Sequence, residues 1–183
     1  MKWLFEPGHS AAEFRARHMM VTWVRGSFKN VRGRLEFDPE NPGRLAVEAT
    51  IDAQTCWTGE PARDEHLRSE DFLNCERYPE IRFRSTGVAL VGPVDYEVSG
   101  DLTIRKVTRP VVLAVRFHGT EETPWWEDGV DKGPKLRAGF VAKTSIDRYD
   151  FGVSWNSALP SGGVVVGRNI DIILDVEAIR DGD

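Results

Sequence analysis

The side chains of this chain that could do chemistry are few and scattered. His9, His18, His66 and His118 are its 4 histidines. None stands at ligand spacing from another histidine or from a cysteine, so no metal centre is expected. Arg15-Ala16-Arg17-His18 sets a histidine among basic residues without a sequence-near acid to orient it. A Gly-x-Ser-x-Gly elbow is absent, and Gly162-Gly163 runs into Val164-Val165-Val166-Gly167 and not into a helix that could hold phosphate. The expectation is therefore a protein that is not an enzyme and carries no cofactor.

Three polar groups still call for a role. Arg63-Asp64-Glu65-His66-Leu67-Arg68-Ser69-Glu70-Asp71-Phe72-Leu73 is the one helix-like patch in the chain. Asp64 and Arg68 stand four apart and can pair on one helical face, and His66 reads as a hydrogen-bonding residue that fixes this flap. Arg148 and Asp150 flank Tyr149, which puts them on one side of an extended segment. An internal Arg–carboxylate clamp at a corner is the preferred reading there, with head-group recognition by Arg148 second. Cys56 and Cys75 lie either side of the flap without CxxC spacing, and read as reduced, buried thiols rather than a disulfide.

The elements that must carry these groups alternate with period two, as half-buried strands do. Val31, Gly33, Leu35 and Phe37 fall on one face against Arg32, Arg34 and Glu36; Tyr96, Val98, Gly100, Leu102 and Ile104 repeat the pattern further on. Strands are expected at 2–6, 10–17, 24–38 with a bend at Lys29-Asn30, 44–52, 80–90, 94–105, 109–120, 135–146 and 164–179. One wet face on each implies antiparallel pairing, and turn chemistry such as Asp38-Pro39-Glu40-Asn41-Pro42-Gly43 divides them. Two stretches depart from the pattern. His18 to Trp23 reads as a helical turn, and Glu60 to Leu73, with Pro61 near its start, as a helix. Residues 121–134, with Trp125-Trp126, read as a long exposed hairpin loop whose tryptophans meet a partner or a membrane surface, or fold back on the barrel rim.

A length of 183 residues fits one domain, 1–183, with an ample core. The net charge of −5 is spread along the strands, so the basic stripe of a nucleic-acid binder is absent. Met1-Lys2-Trp3-Leu4-Phe5-Glu6-Pro7 is too short an apolar run for a secretory signal, and the expectation is a cytoplasmic protein.

The landmarks His9-Ser10 with Phe14 and His18-Met19; Val24, Gly26, Phe28 and Gly33; Arg63-Asp64-x-His66-Leu67-x-Ser69-x-Asp71-Phe72; Tyr78-Pro79 with Ile81 and Phe83; Gly100-x-Leu102-Thr103 with Thr108; and Arg148-x-Asp150-Phe151-Gly152 follow one another in order. Together they resemble the YceI-like family over nearly the whole chain, with Leu73 where a second Phe is common and Arg105-Lys106-Val107 where a Gly is common. The resemblance implies an all-β fold, an antiparallel eight-stranded lipocalin-like barrel with a short helical flap. It also implies an elongated apolar interior that holds a long-chain amphiphile: a polyisoprenoid, an isoprenoid quinone or a fatty-acid derivative. A homodimer is implied as well. Pattern alone makes Phe14, Met19, Met20, Phe28, Phe37, Phe72, Phe83, Phe140, Phe151 and Trp155 core. The resemblance makes them, with His66 and Arg148, the expected ligand-binding set. The competing reading is a structural or stress-related interaction module without a ligand.

Overall fold

The computed structural model describes residues 1–182. Its strands are β1 (Lys2–Phe5), β2 (Ala11–His18), β3 (Thr22–Phe28), β4 (Val31–Glu36), β5 (Ala46–Asp52), β6 (Glu80–Leu90), β7 (Asp95–Ile104), β8 (Val107–Glu127), β9 (Val130–Asp147) and β10 (Val166–Arg180), with one α-helix, α1 (Pro61–Arg68). The sheet runs β1-β4-β5-β6-β7-β8-β9-β10 and closes through β1 on β10, which makes a ring of eight antiparallel strands; β2 and β3 extend it from the other part of β10. β1 lies against residues 178–180 of β10 and β2 against 166–175. The two are successive parts of a single broken stave. β3 and β4 form the next stave, broken at the expected bend, where Asn30 takes φ 58°. Among the described residues no helix is long and apolar enough to cross a membrane.

The expected strands are all present, and alternation is the reason: β7 buries Tyr96, Val98, Gly100, Leu102 and Ile104 and exposes Glu97, Ser99 and Asp101. Two expectations fail. Residues 18–23 form no helical turn; β2 runs through His18, Met19 and Met20 make a tight turn with φ of 47° and 62°, and β3 starts at Thr22. Met19, Met20 and Val21 connect His18 to its partner Thr22, and the Val21 N–H donates to the His18 carbonyl at 3.1 Å. A turn with positive φ at both central residues is of the primed kind, and the ladder on either side holds two methionines there. Residues 121–134 are likewise not a loop. β8 and β9 pair as far as Glu127 and Val130, around Asp128 (φ 52°) and Gly129 (φ 77°), the Asp-Gly chemistry of a primed turn.

The core falls into two groups along the staves. One gathers Trp3, Leu35, Phe37, Tyr96, Val98 and Phe140. The other gathers Phe28, Val31, Phe72, Leu102, Ile146 and Phe151 beneath the helical flap. Between them the inward positions turn small: Gly33 lies opposite Ala49 across β4 and β5, and Gly100 stands between Val98 and Leu102 on β7. Large side chains close both ends, and small ones leave the middle open.

Candidate functional site

The space between the two cores is a cavity of about 240 Å³ inside the barrel. Its walls are the inward residues of nearly every strand, among them Ile51, Phe83, Leu102, Val111, Ile146 and Leu174, with Leu67, Phe72 and Leu73 from the flap region. Unfilled apolar space destabilises a fold by roughly 24 cal/mol per Å³, so this volume left empty corresponds to about 6 kcal/mol. That is comparable to the whole stability of a typical domain.

Glycines keep the lumen open by letting rings lie flat on the wall. A Cβ on Gly26 would stand 2.4 Å from Cζ of Phe14, and one on Gly100 2.3 Å from Cζ of Phe83. On Gly33 it would meet the ring of Phe5 at 2.8 Å. Real Cβ atoms do not approach that closely, so each ring rests against a neighbouring strand because that strand has no side chain there.

The end formed by the second half of β4 is sealed. Trp3 Nε1 donates to the carbonyl of Phe37 at 2.9 Å, and the Phe37 ring meets Phe117 and Phe140 edge-on at 4.9 and 5.2 Å. Phe37 is therefore a plug behind the cavity wall and does not line the cavity, contrary to expectation. The Phe83 and Phe140 rings do line it.

The other end is closed by the flap. Glu60 caps α1 at its start, Pro61 opens it, and its polar side chains tie it down. Buried Asp64 accepts hydrogen bonds from the backbone N and Oγ1 of Thr58 at 2.8 and 2.5 Å, while Arg63 donates to Thr58 Oγ1 at 2.7 Å. Arg68 donates to the carbonyl of Cys56 at 2.8 Å, so the expected Asp64–Arg68 pair is replaced by two separate anchors. His66 Nε2 lies 2.7 Å from Asp71 Oδ2, and its ring packs edge-on against Phe72 and Trp155 at 5.0 and 4.7 Å. His66 and Trp155 thus brace the flap from outside, and only Phe72 of this trio reaches the cavity.

Among the described residues Arg148 is the one buried charge at the cavity wall. It makes no clamp with Asp150. A short 3-10 turn, Arg148–Phe151, follows β9 and aims the guanidinium at backbone carbonyls: Gly167 and Val166 at 2.9 and 3.1 Å, Val153 and Trp155 at 2.7 and 2.9 Å. The plane also lies over Tyr149, 4.8 Å from its centroid. Burial pulls the Arg148 pKa down from the ordinary guanidinium range, and Tyr149 and then Asp147 oppose that shift. The extended geometry assumed for residues 148–150 fails because Asp147 accepts from the Tyr149 N–H and starts the turn. Arg148 is a backbone staple that joins the end of β9 to the start of β10.

Of the expected ligand-binding residues, Phe14, Phe28, Phe72, Phe83, Phe140, Arg148 and Phe151 border the cavity; Phe37, His66 and Trp155 stand behind its wall, and Met19 and Met20 lie outside at the hairpin turn. The aliphatic lining, such as Val31, Leu102, Ile146 and Ile172, was not singled out, although period-two alternation already turned it inward. Cys56 and Cys75 are free and buried, and burial pushes their thiols up to about 12 and about 11. One juxtaposition was invisible in sequence spacing: His9 Nδ1 lies 2.6 Å from Glu6 and 3.7 Å from Glu177. Arg137 already pairs with Glu177 there.

A family model described as the YceI-like domain matches residues 3–178. The Escherichia coli protein named YceI is 36% identical over 175 residues, which cover 96% of this chain and 84% of that protein. Among solved structures, a YCEI protein of Campylobacter jejuni superposes with a TM-score of 0.73 at 25% identity, over 91% of this chain and 90% of that one. A polyisoprenoid binding domain from Saccharophagus degradans does so with a TM-score of 0.65 at 12% identity, over 98% of each chain.

Proposed function

The chain belongs to the YceI-like family, and on that premise we propose that it binds a long-chain lipid inside the barrel, for carriage, storage or sensing, and is not an enzyme. The observation that carries this reading is the cavity itself: a closed barrel with an apolar lumen whose one buried charge among the described residues, Arg148, is already spent on four carbonyls. An acyl or prenyl chain gains about 0.8 kcal/mol for each CH₂ it buries, and the lining described here is mostly apolar, with Arg148 already bonded to carbonyls. That favours a polyisoprenoid or isoprenoid quinone over a fatty-acid carboxylate as cargo. The Saccharophagus degradans domain, described as polyisoprenoid-binding, supports the same class.

Native mass spectrometry of freshly purified protein, followed by organic extraction, tests the reading. A stoichiometric long-chain species coming off the protein is the expected result, and the same spectrum checks the homodimer. An empty protein that also refuses added polyprenols and quinones would move the assignment to the interaction module. That second reading draws on Trp126, which is 61% exposed beside the β8–β9 turn. Saturable binding of a protein partner, lost in Trp125→Ala with Trp126→Ala, would favour it.

A further inference from the structure

The β2–β3 hairpin carries a feature that the cavity does not use. Its tip exposes Met19 (44%), Met20 (50%), Val21 (80%) and Trp23 (37%) in one short run. Both methionines sit in the left-handed region, where a side chain is strained and where Asn-Gly would be the ordinary solution. The outer face behind the tip carries Arg15, Arg17 and Arg25, with Glu13 further from the tip on the same face. Arg15 stands directly opposite Arg25, and Arg17 opposite Trp23; the guanidinium groups of Arg15 and Arg17 lie 4.5 and 5.1 Å from the Trp23 ring. Like charges placed opposite one another on a ladder repel. Arg15 is relieved by Asp171 at 2.8 Å, but among the described residues no carboxylate lies within ion-pair distance of Arg17, Arg25 or Lys29. This local excess sits on a protein whose net charge is −5.

We propose that the β2–β3 hairpin docks the protein on an anionic phospholipid surface, with Met19, Met20 and Val21 dipping below the head groups and Arg17 and Arg25 meeting phosphates. Trp23, between guanidinium groups and apolar tip, sits at the level where indole rings favour the membrane interface. A convex apolar point ringed by cations matches a bilayer, which has no fixed shape to complement and presents negative charge at its surface. β3 pairs with β2 along its length, and the tip rests on the segment before β10, where the Met19 N–H donates to the Val165 carbonyl at 2.8 Å. The docking surface lies outside the cavity, and the proposal stands apart from the identity of the cargo.

Sedimentation with vesicles of phosphatidylcholine, with and without phosphatidylglycerol and containing no isoprenoid, is the test. Wild type is expected to bind the anionic vesicles, at least tenfold more weakly when phosphatidylglycerol is omitted or salt is raised to 0.5 M. Met19→Asn with Met20→Gly restores the favoured turn pair, so the hairpin should fold at least as well and yet lose tenfold or more in binding. Arg17→Glu with Arg25→Glu should lose as much. Phe83→Trp, which narrows the cavity, should sediment like wild type, so failure of cargo binding and failure of docking read out separately. Wild type that stays in the supernatant at low salt, or a Met19→Asn/Met20→Gly variant that sediments unchanged, overturns the proposal and leaves the tip to a protein partner.

Discussion

Gly26→Ala tests whether glycine-supported rings set the width of the lumen. An added Cβ would lie 2.4 Å from Cζ and 2.7 Å from Cε1 of Phe14, and 2.8 Å from the Thr58 methyl. All three obstacles are side-chain atoms, so the backbone can stay while the Phe14 ring moves by roughly 1 Å or more to reach ordinary contact. The ring has one open direction, into the cavity that Phe14 already borders. Displacing two or three CH₂ groups of a bound chain removes about 2 kcal/mol, a loss of roughly thirtyfold in affinity. Stability should change little. Overpacking costs about 1–3 kcal/mol, offset in part by about 0.5–1 kcal/mol for replacing a strand glycine and by the space the ring fills. Titration with a fluorescent polyprenyl analogue, alongside thermal unfolding, separates these terms. Phe14→Leu combined with Gly26→Ala removes the ring clash, leaving the Thr58 methyl at 2.8 Å, and should recover part of the binding. Wild-type affinity in Gly26→Ala with an unchanged melting temperature would refute the idea that Phe14 lies flat for want of a side chain at position 26.

Phe83→Trp should weaken long chains more than short ones in the same titration, because it shortens usable length without adding charge; equal losses at every length would point to general destabilisation. Arg148→Lys cannot reproduce four carbonyl contacts from one planar fork and should destabilise the fold by about 3 kcal/mol, seen as a lower denaturation midpoint. A midpoint matching wild type would mean that the staple is dispensable. Cys56 and Cys75 should resist a thiol reagent at pH 8 until the protein unfolds. Their folded pKa values lie above the unfolded value, so stability is full below about pH 8.5 and falls by about 1.4 kcal/mol per pH unit for each thiol above it, until pH passes about 11 and about 12 in turn. Double Cys→Ala should flatten that alkaline slope. Asp147 has the opposite sign: the Arg168 guanidinium holds its carboxyl below the usual range, so its contribution is present above about pH 4 and lost as pH falls. Asp147→Asn should make the acid limb of unfolding shallower below pH 4, and an unchanged limb would remove the pair from the account.

The barrel was readable because its sheet is antiparallel with one wet face, which writes the inward set into alternate positions; β7 is the clearest case. The failures have physical causes of their own. Met19 and Met20 sit at a turn whose usual residues are absent, so no local signal marked it; the ladder on either side overrides their preference. At Asp128-Gly129 the signal was present but lay between tryptophans and prolines that mimic loop composition, and Pro124 and Pro134 are held opposite each other within the pairing of β8 and β9. Arg148 was misassigned because a carboxylate two residues away looks like a partner, whereas the turn capped by Asp147 points the guanidinium at carbonyls 5 to 19 residues distant in sequence.

The site was harder to read than the fold because a cavity is made by what is missing. Sequence reading weights large aromatic residues, and it gathered Phe37 and Phe83 as equals; one is a plug and the other a wall. The difference lies in glycines on neighbouring strands, Gly100 against Phe83 and Gly26 against Phe14, and strand pairing has to be known before those contacts can be drawn. Given the register, the lumen's shape follows from the glycines. Glycine opposite an inward aromatic means a ring laid along the wall, and an inward aromatic among other aromatics at a strand end, as Phe37 is with Phe117 and Phe140, means a seal. Lumen length is then set by where the small inward residues stop, which is why Gly26→Ala, a change of one methyl group, is expected to act on binding far more than on folding.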